Sequence, residues 1–189
     1  MKEIKGLVFD CDGTLADTMP LHWRAWQLIT QKHDLHFPMD RFYSLGGVPS
    51  RDILKLLAQE QGRSLDHIAV AHEKEEAFLP LLEEIQPIHA VVEIAKANFG
   101  KIPMAVASGG TQDIIIGVLE HLKIRHLFDA VVTSEMVTNQ KPAPDIFLEA
   151  ARRIGVDPKF CRGFEDTDLG MQAIRSAGMD AVDVRTMRR

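Results

Sequence analysis

Two acidic residues, separated by one residue, stand at the end of an apolar run near the start of the chain. The segment "GLVFDCDGT" places Asp10 and Asp12 directly after Leu7-Val8-Phe9, and Gly13 then allows a tight turn. Residues two apart in an extended strand point to the same side. One carboxylate can therefore attack phosphorus and form an aspartyl-phosphate, while the other protonates the leaving alkoxide and later takes a proton from water.

Further polar residues follow later apolar runs. Ser108 follows "MAVA", Lys141 lies in "NQKPAPD", and Glu165-Asp166 lies in "GFEDTD". Ligands of parallel α/β sheets bind beyond the carboxyl ends of the strands, so we expect these side chains to meet the two opening acids there. Clustered carboxylates repel one another and need a cation. All-oxygen ligation favours Mg²⁺. Because Mg²⁺ that is held by few carboxylates generally works with a phosphate, the pattern indicates a magnesium-dependent phosphoryl site.

The phosphate has candidate partners outside the carboxylates. Lys141 supplies a point charge suited to phosphate, and the Ser108 hydroxyl donates one hydrogen bond. The "SGG" stretch, which contains Gly109, ends a strand just before a helix and offers backbone N–H groups to an anion. The expected partner is therefore a small-molecule phosphate ester.

The elements that must position these residues alternate between strand and helix. From Ile102 onward, short apolar runs are separated by helical patterns, which predicts a parallel sheet with crossover helices. The runs are nearly continuous, as in strands that are buried on both faces. The predicted fold class is therefore α/β, a three-layer, doubly wound parallel sheet. The predicted strands cover residues 4–9, 102–107, 130–133, 160–164 and 181–184.

The long interval between the first two strands reads as helix throughout. One of its helices is expected to start at Ser64 and to be broken by Pro80. We therefore predict a small all-helical cap domain at residues 17–84, inserted after the first strand. The core domain is predicted to comprise residues 1–16 and 85–189, with hinges near residues 16–18 and 85–87.

Bulk composition excludes several classes of protein. The 189 residues are 46% hydrophobic, enough for a sizeable core, and the formal net charge of −5 gives no reason to expect nucleic acid. No apolar stretch approaches the length of a membrane span and no secretory leader is visible, so we expect a cytoplasmic protein without a membrane partner. The two cysteines, Cys11 and Cys161, are expected to be small buried thiols.

The four motifs together closely resemble those of the haloacid dehalogenase superfamily of phosphohydrolases, over essentially the whole chain. They are the strand with D-x-D-G-T ("VFDCDGT"), the strand that ends in Ser108, Lys141 in "KPAPD", and the acidic pair in "GFEDTDLGMQA". The resemblance implies that Asp10 is the nucleophile and Asp12 the acid/base. It also implies that Ser108 and Lys141 hold the transferred phosphoryl group.

The same resemblance implies a set of metal ligands. Mg²⁺ would be held by the Asp10 carboxylate, the Asp12 backbone carbonyl and Asp166, with Glu165 in or next to that shell. A monomer is the state that the resemblance implies.

Within the superfamily, "DTMPLHWRAW", "LGGVPSRD" and "KPAPDIF" are similar to the β-phosphoglucomutase-like branch with a helical cap. The mutase pattern has a Lys before the Gly of the cap loop, whereas this chain has Gly46 before Gly47. The mutase pattern also has a Ser and a Lys near the phosphoryl site, whereas this chain has "SGGTQD" there. A mutase must hold a bisphosphate intermediate, and losing two cationic groups weakens that hold. The chain is therefore more similar to small sugar phosphatases, such as those acting on fructose 1-phosphate. The alternatives are β-phosphoglucomutase and a non-enzymatic binding protein on the same fold.

Four cap positions are candidate substrate contacts by this resemblance: His22, Gly47, Arg51 and Lys74. His22 and Trp26 share a helix face at i, i+4, where both can simply pack or lie in solvent. By family position, His22 would instead face the active site and polarise a substrate hydroxyl or orient the acid/base. Arg51 and Lys74 are equally well interpreted as solvated surface charges.

Overall fold

The computed structural model describes residues 3–187, so the two residues at each end of the predicted core domain lie outside the described part of the chain. Strands and helices alternate through its second half. The elements, in chain order, are β1 (Gly6–Phe9), α1 (Met19–Lys32), α2 (Met39–Ser44), α3 (Ser50–Glu60), α4 (His67–Phe78), α5 (His89–Asn98), β2 (Met104–Ser108), α6 (Gln112–His121), β3 (Ala130–Thr133), α7 (Asp145–Arg153), β4 (Cys161–Glu165), α8 (Asp168–Ser176) and β5 (Asp180–Asp183).

The strands form one sheet in the order β3-β2-β1-β4-β5, and every neighbouring pair is parallel. The chain moves outward from β1 to β2 and β3, then returns to the other side of β1 for β4 and β5. The connections therefore diverge at the carboxyl end of β1, and this switch point leaves a crevice in which ligands of such sheets bind. Asp10 is the first residue after β1.

Hydrophobic clusters on both faces of the sheet confirm the predicted three-layer α/β fold. Neighbouring strand residues point to opposite faces, so Phe9 packs in the cluster that contains residues of α5 and α6, and Val8 in the cluster that contains residues of α7 and α8. Both side chains are fully buried. The central strand is thus covered on both sides, which explains its continuous apolar sequence.

The strand ends differ from the predicted ones by one or two residues. β3 has the predicted bounds, whereas β2 and β4 each extend one residue beyond the predicted end. Ser108 and Glu165 are therefore the last residues of their strands. Both stay in the sheet because they are in register with Thr133 and Asp183 of the neighbouring strands.

Helices α1 to α4 pack around a hydrophobic cluster of their own, which includes Trp26, Phe42 and Leu57. The predicted start of a helix at Ser64 is wrong, because α4 begins at His67 and its N-cap is Asp66, whose carboxylate accepts hydrogen bonds from two backbone N–H groups at 3.0 and 3.1 Å. The α-helix ends at Phe78, and a 3₁₀ segment containing Pro80 continues to residue 84.

The two chain crossings between this helical segment and the sheet domain run side by side. The Asp17 N–H donates to the Gln86 carbonyl and the Ile88 N–H donates to the Leu15 carbonyl, both at 2.9 Å. These are the positions at which the sequence predicts hinges. Within residues 3–187, no helix has the length and hydropathy needed to cross a membrane. Cys11 and Cys161 are buried free thiols, as expected.

The aromatic cluster beneath Asp10 generates a first prediction. Phe9 stacks on Phe164 with ring centroids 4.6 Å apart and meets Phe128 edge-on at 5.8 Å. Because Phe9 is fully buried, Phe9→Ala is expected to lower the free energy of unfolding by about 3–5 kcal/mol, measured by urea denaturation. Phe99→Ala, at a half-exposed position, is the matched control and should change the free energy of unfolding by less than about 1 kcal/mol. Equal losses in the two variants would contradict the prediction.

Candidate active site

A buried lysine lies between two carboxylates at the switch point. The Lys141 ammonium donates hydrogen bonds to Asp10 Oδ1 and to Glu165 Oε2, both at 2.7 Å. All three side chains are almost completely buried. Burial lowers the pKa of Lys141, but the two adjacent carboxylates outweigh burial and hold that pKa above its usual value. The lysine therefore stays charged beside Asp10.

Glu165 has protein partners on both of its oxygens. Its Oε1 accepts hydrogen bonds from the Asp166 and Thr167 N–H groups at 2.9 Å and from the Thr167 hydroxyl at 3.0 Å. Its Oε2 accepts from Lys141. The turn after β4 thus fixes Glu165, and Glu165 in turn fixes the lysine ammonium against Asp10.

Asp12 is held by three donors from different parts of the chain. The Thr18 hydroxyl and His22 Nε2 contact Asp12 Oδ1 at 2.7 and 3.2 Å, and the Ser108 hydroxyl donates to Oδ2 at 3.2 Å. Burial raises the pKa of Asp12, but the hydrogen bonds and charge around it, led by the contact with His22, lower that pKa to about 2. The carboxylate is therefore ionised and oriented by the first helix of the cap segment and by the end of β2.

Lys74 completes a network from the cap helices to Asp12. Its ammonium donates to His22 Nδ1 at 2.9 Å and lies 3.2 Å from the Glu75 carboxylate, and the His22 ring stacks on Phe78 with centroids 3.9 Å apart. Burial and the Lys74 charge lower the pKa of His22, which favours the neutral ring. A neutral ring that accepts at Nδ1 donates at Nε2, so His22 is oriented to donate to Asp12. Lys74 is buried rather than solvated.

Glycines allow the cap loop and the core to touch. Gly13 has a φ of +83°, and a Cβ there would overlap the Asp166 carboxylate. Gly47 has the same φ, and a Cβ on it would lie 3.2 Å from Lys141 Cδ. The Gly47 carbonyl in turn occupies the space that a Cβ on Gly109 would need. The cap loop therefore lies directly on the Lys141 side chain and on the end of β2.

The candidate catalytic cavity, which contains Asp10 and Asp12, has a volume of about 70 Å³. The core lines this cavity with Asp10, Asp12 and Ser108, and the cap helices line it with His22 and Lys74. The cap and the core meet at Gly47 and Gly109. Arg51 is placed elsewhere, in a neighbouring cavity, with its guanidinium 3.4 Å from the Ser134 carbonyl oxygen. The structure thus brings the predicted residues together except Arg51.

The acidic residues fit a hard divalent cation. Asp10, Glu165 and Asp166 offer carboxylate oxygens that lie within 4.8 Å of one another. Burial, followed by the charge of Glu165, raises the pKa of Asp10 even though the Lys141 charge lowers it, so Lys141 alone does not offset the cost of negative charge there. Oxygen donors of this kind suit Mg²⁺ rather than a soft metal.

Sequence reasoning did not assign Thr18 or Glu75 to the site. The sequence indicates Thr18 only as part of a hinge, whereas in the structure its fully buried hydroxyl donates a hydrogen bond to Asp12. Glu75 lies in the polar run "HEKEEAF", which the periodicity did not separate into buried and solvated positions. Its place in the catalytic cavity follows from the packing of α4 against α1 and α3.

The arrangement of these motifs at one sheet edge agrees with the match to a family profile described as haloacid dehalogenase-like hydrolase, which covers residues 7–184. This chain belongs to that family. Like other phosphatases of the haloacid dehalogenase-like hydrolases, it is a phosphoric monoester hydrolase. Its fold is that of the β-phosphoglucomutase-like members.

Three relatives illustrate the likeness. The chain is 43% identical over 183 residues to the fructose-1-phosphate phosphatase of Escherichia coli K12, with 96% of this chain and 97% of that protein covered. It is 31% identical over 192 residues to the β-phosphoglucomutase of Bacillus subtilis, with 96% and 83% covered. The crystal structure of a β-phosphoglucomutase from Clostridium difficile matches with a TM-score of 0.84 at 29% identity, covering 95% of this chain and 84% of that one.

The contact between Gly47 and Gly109 generates a prediction for this haloacid dehalogenase-like hydrolase. In Gly109→Ala, the new methyl group would overlap the Gly47 carbonyl, so the cap loop cannot reach the position seen here. We expect phosphate release to fall at least ~10-fold with little loss of stability, because misplacing groups by about 1 Å is costly to catalysis.

The matched control is Gly117→Ala in α6, where the added Cβ meets only Leu82 Cδ1 at an ordinary 3.5 Å. Both variants are compared by phosphate release and by thermal unfolding. Unchanged activity in Gly109→Ala would contradict the requirement for this loop position.

Proposed function

We propose that this protein is a Mg²⁺-dependent phosphatase of a small sugar phosphate, acting through an aspartyl-phosphate on Asp10. The observation that carries the proposal is the buried pairing of Asp10 with Lys141, beside an Asp12 that the cap helices orient. The substrate class is supported by the 43% identity to a fructose-1-phosphate phosphatase over nearly the full length of both chains.

The binding roles are assigned residue by residue. Mg²⁺ is held by the Asp10 and Asp166 carboxylates and the Asp12 backbone carbonyl, and when bound it offsets the charge of the phosphate and of the carboxylates. Glu165, whose oxygens already accept hydrogen bonds from the turn and from Lys141, lies beside this shell. The acidic cluster supports this assignment.

The phosphoryl group is held by Lys141, by the Ser108 hydroxyl and by the backbone at Gly109. Lys141 supplies the positive charge, and Ser108 lies at the carboxyl end of its strand, facing the cavity. Substrate entry replaces the present contact between Ser108 and Asp12 with one to a phosphoryl oxygen.

The chemistry proceeds in two displacements. Asp12 is ionised before substrate binds, and it takes up a proton from solvent as the negatively charged phosphate enters beside it. A carboxylate oxygen of Asp10 then attacks phosphorus, the bond from phosphorus to the ester oxygen breaks, and Asp12 gives that oxygen the proton. Asp12 then takes a proton from water, the water oxygen attacks the aspartyl-phosphate, and the Asp10 carboxylate leaves. The net change is ester plus water to alcohol plus phosphate, with both carboxyl groups restored.

The cap domain, residues 17–84, opens to admit substrate and closes to exclude water. The cavity of about 70 Å³ is far below the roughly 300 Å³ at which small-molecule pockets begin, which supports a cap that moves to admit substrate. The paired crossings at residues 15–17 and 86–88 are the hinge. Closure brings His22 and Lys74 to the site.

β-Phosphoglucomutase activity is the second candidate, because both a curated relative and a solved structure carry that name. Gly46, which stands where the mutase pattern has Lys, contacts the core: a Cβ there would come within 2.9 Å of Thr167 Cγ2. A side chain at that position would require Thr167 or the cap loop to shift, which favours the phosphatase. The non-enzymatic alternative is disfavoured because the residues of all four motifs are present and meet in space.

Asp10→Asn tests the nucleophile. Phosphate release from a panel of hexose phosphates with Mg²⁺ is expected to fall at least ~1,000-fold, because an amide cannot replace the attacking carboxylate. EDTA should also abolish turnover and added Mg²⁺ should restore it. Asp113→Asn, an exposed position in α6, is the matched control and should keep full activity. Substantial hydrolysis by Asp10→Asn would exclude the proposed mechanism.

Asp12→Ala tests the two-step route. Without the acid/base, turnover is expected to fall by ~100- to 10,000-fold, and the aspartyl-phosphate should accumulate because its hydrolysis lacks a base. Rapid acid quench and mass spectrometry should locate a phosphate on the peptide that contains Asp10. If the phosphorylated peptide is not detected with esters of either a fast or a slow leaving group, the result would support direct attack of water on phosphorus.

The same assay separates the two candidate activities. Conversion of a sugar 1-phosphate to its 6-isomer upon addition of a sugar bisphosphate, without phosphate release, would establish the mutase instead.

The monomeric state, the cytoplasmic location and the absence of nucleic-acid partners stay predictions from the sequence. Light scattering tests the monomeric state.

A further inference from the structure

Helix α8 packs against strand β4, which ends in Glu165. Residues two apart on a strand point to the same face of the sheet, so Gly163 and Glu165 face the same side. Residues four apart on a helix also share a face, and Gly170 and Ile174 form such a pair in α8. These two pairs of residues meet where the helix crosses the strand.

Small and large residues alternate across this contact. The Ile174 side chain fills the space over Gly163, where an added Cβ would lie 2.7 Å from Ile174 Cδ1. The Glu165 side chain likewise fills the space over Gly170, and a Cβ added there would overlap its Cγ, Cδ and Oε2 atoms. Each glycine therefore makes room for a larger side chain of the opposite element.

Space is the property of Gly170 that the structure uses. Its φ lies outside the left-handed region, so the backbone at this position does not require glycine. Alanine is the better helix former at an ordinary helical position. The Gly170 N–H donates to the Thr167 hydroxyl at 3.0 Å, and alanine would keep that hydrogen bond. The Glu165 side chain is therefore the feature that accounts for a glycine here.

The Glu165 carboxylate is held too firmly to move aside. It is fully buried, and its Oε1 accepts three hydrogen bonds from the turn that follows β4. Its Oε2, which a Cβ on residue 170 would overlap, is the atom that accepts from Lys141 at 2.7 Å. A side chain at position 170 would therefore displace the acceptor of the lysine.

Lys141 depends on this acceptor for its position. Its ammonium has two carboxylate partners, Asp10 and Glu165, and lies 5.2 Å from the centre of the Phe147 ring. Under the proposed function, the phosphoryl group forms a bond to Asp10, so this partner changes during the reaction whereas Glu165 does not. The carboxylate that packs against α8 is therefore the constant support of the ammonium.

We infer that Gly170 is a positioning residue: it leaves the space that Glu165 occupies, and Glu165 aims the Lys141 ammonium at the phosphoryl group. The inference rests on the proposed function, because it needs Lys141 to hold that group. It extends the site to a residue of α8 that lines neither the catalytic cavity nor the acidic cluster.

A double-mutant cycle tests whether Gly170 acts through Glu165. Gly170→Ala is made in the wild type and in Glu165→Ala, which removes the three atoms that the new methyl group would overlap. Calorimetry measures the affinity for inorganic phosphate with Mg²⁺, and phosphate release measures kcat/KM for a hexose phosphate. Gly170→Ala should lower both at least ~10-fold in the wild type, and should change both less than ~2-fold in the Glu165→Ala background.

Thermal unfolding of the same four proteins without Mg²⁺ gives a readout that does not depend on turnover. Gly170→Ala should lower the midpoint when Glu165 is present, and should leave it unchanged or raise it in the Glu165→Ala background. The matched control is Gly163→Ala, which disturbs the same contact at Ile174. It should lower the midpoint in both backgrounds and change phosphate affinity less than ~2-fold.

The two steps can be measured separately if Gly170→Ala alone does not fold. Folding must then return in the double variant, and Glu165→Ala must by itself weaken phosphate binding at least ~10-fold. Failure of either result would overturn the inference.

Equal losses from Gly170→Ala in both backgrounds would also overturn the inference, because they would show an effect of the helix that does not pass through Glu165. Unchanged phosphate affinity in a folded Gly170→Ala would do the same. A wild-type protein that hydrolyses none of the esters would refute the phosphatase function, whereas the calorimetric cycle would still decide whether Gly170 positions the lysine for phosphate.

Discussion

The structure depends on one buried ammonium held between two buried carboxylates. Removing three charges from water is costly, and the arrangement is stable only because each charge has close partners. Lys141 contacts Asp10 and Glu165, and the turn after β4 supplies the remaining donors to Glu165. This requirement fixes where β1, β4 and the loop after β3 must end, and it places the candidate nucleophile at the sheet's switch point.

The helices of the proposed cap extend this charge network. His22 and Lys74 belong to helices that pack on each other, and the Lys74 ammonium donates to the His22 ring at 2.9 Å. The ring in turn contacts Asp12, and the glycines at positions 47 and 109 allow the cap loop to lie against the core in this arrangement. Under the proposed function, the same contacts would orient the acid/base when the cap is closed and would couple water exclusion to the chemistry.

Much of this protein follows from local sequence. Apolar runs buried on both faces required a parallel sheet, and the D-x-D-G-T segment placed two carboxylates and a glycine of positive φ at a strand end. The ends of parallel strands must converge, so Ser108, Lys141 and Glu165 could be assigned to one site before the fold was known. Asp66, by contrast, displaced the predicted helix start because its carboxylate caps α4.

Tertiary structure alone decided the cap side of the site. Periodicity describes one element at a time, and it does not state which face of α4 meets α1. The family resemblance offered Lys74 as a substrate contact or a solvated charge and gave Glu75 no role, and packing placed both residues in the cavity. Arg51 contacts the loop that contains Ser134, and periodicity could not predict this contact because the two residues lie far apart in the sequence. Contacts across a domain boundary depend on how two surfaces fit, which no single segment encodes.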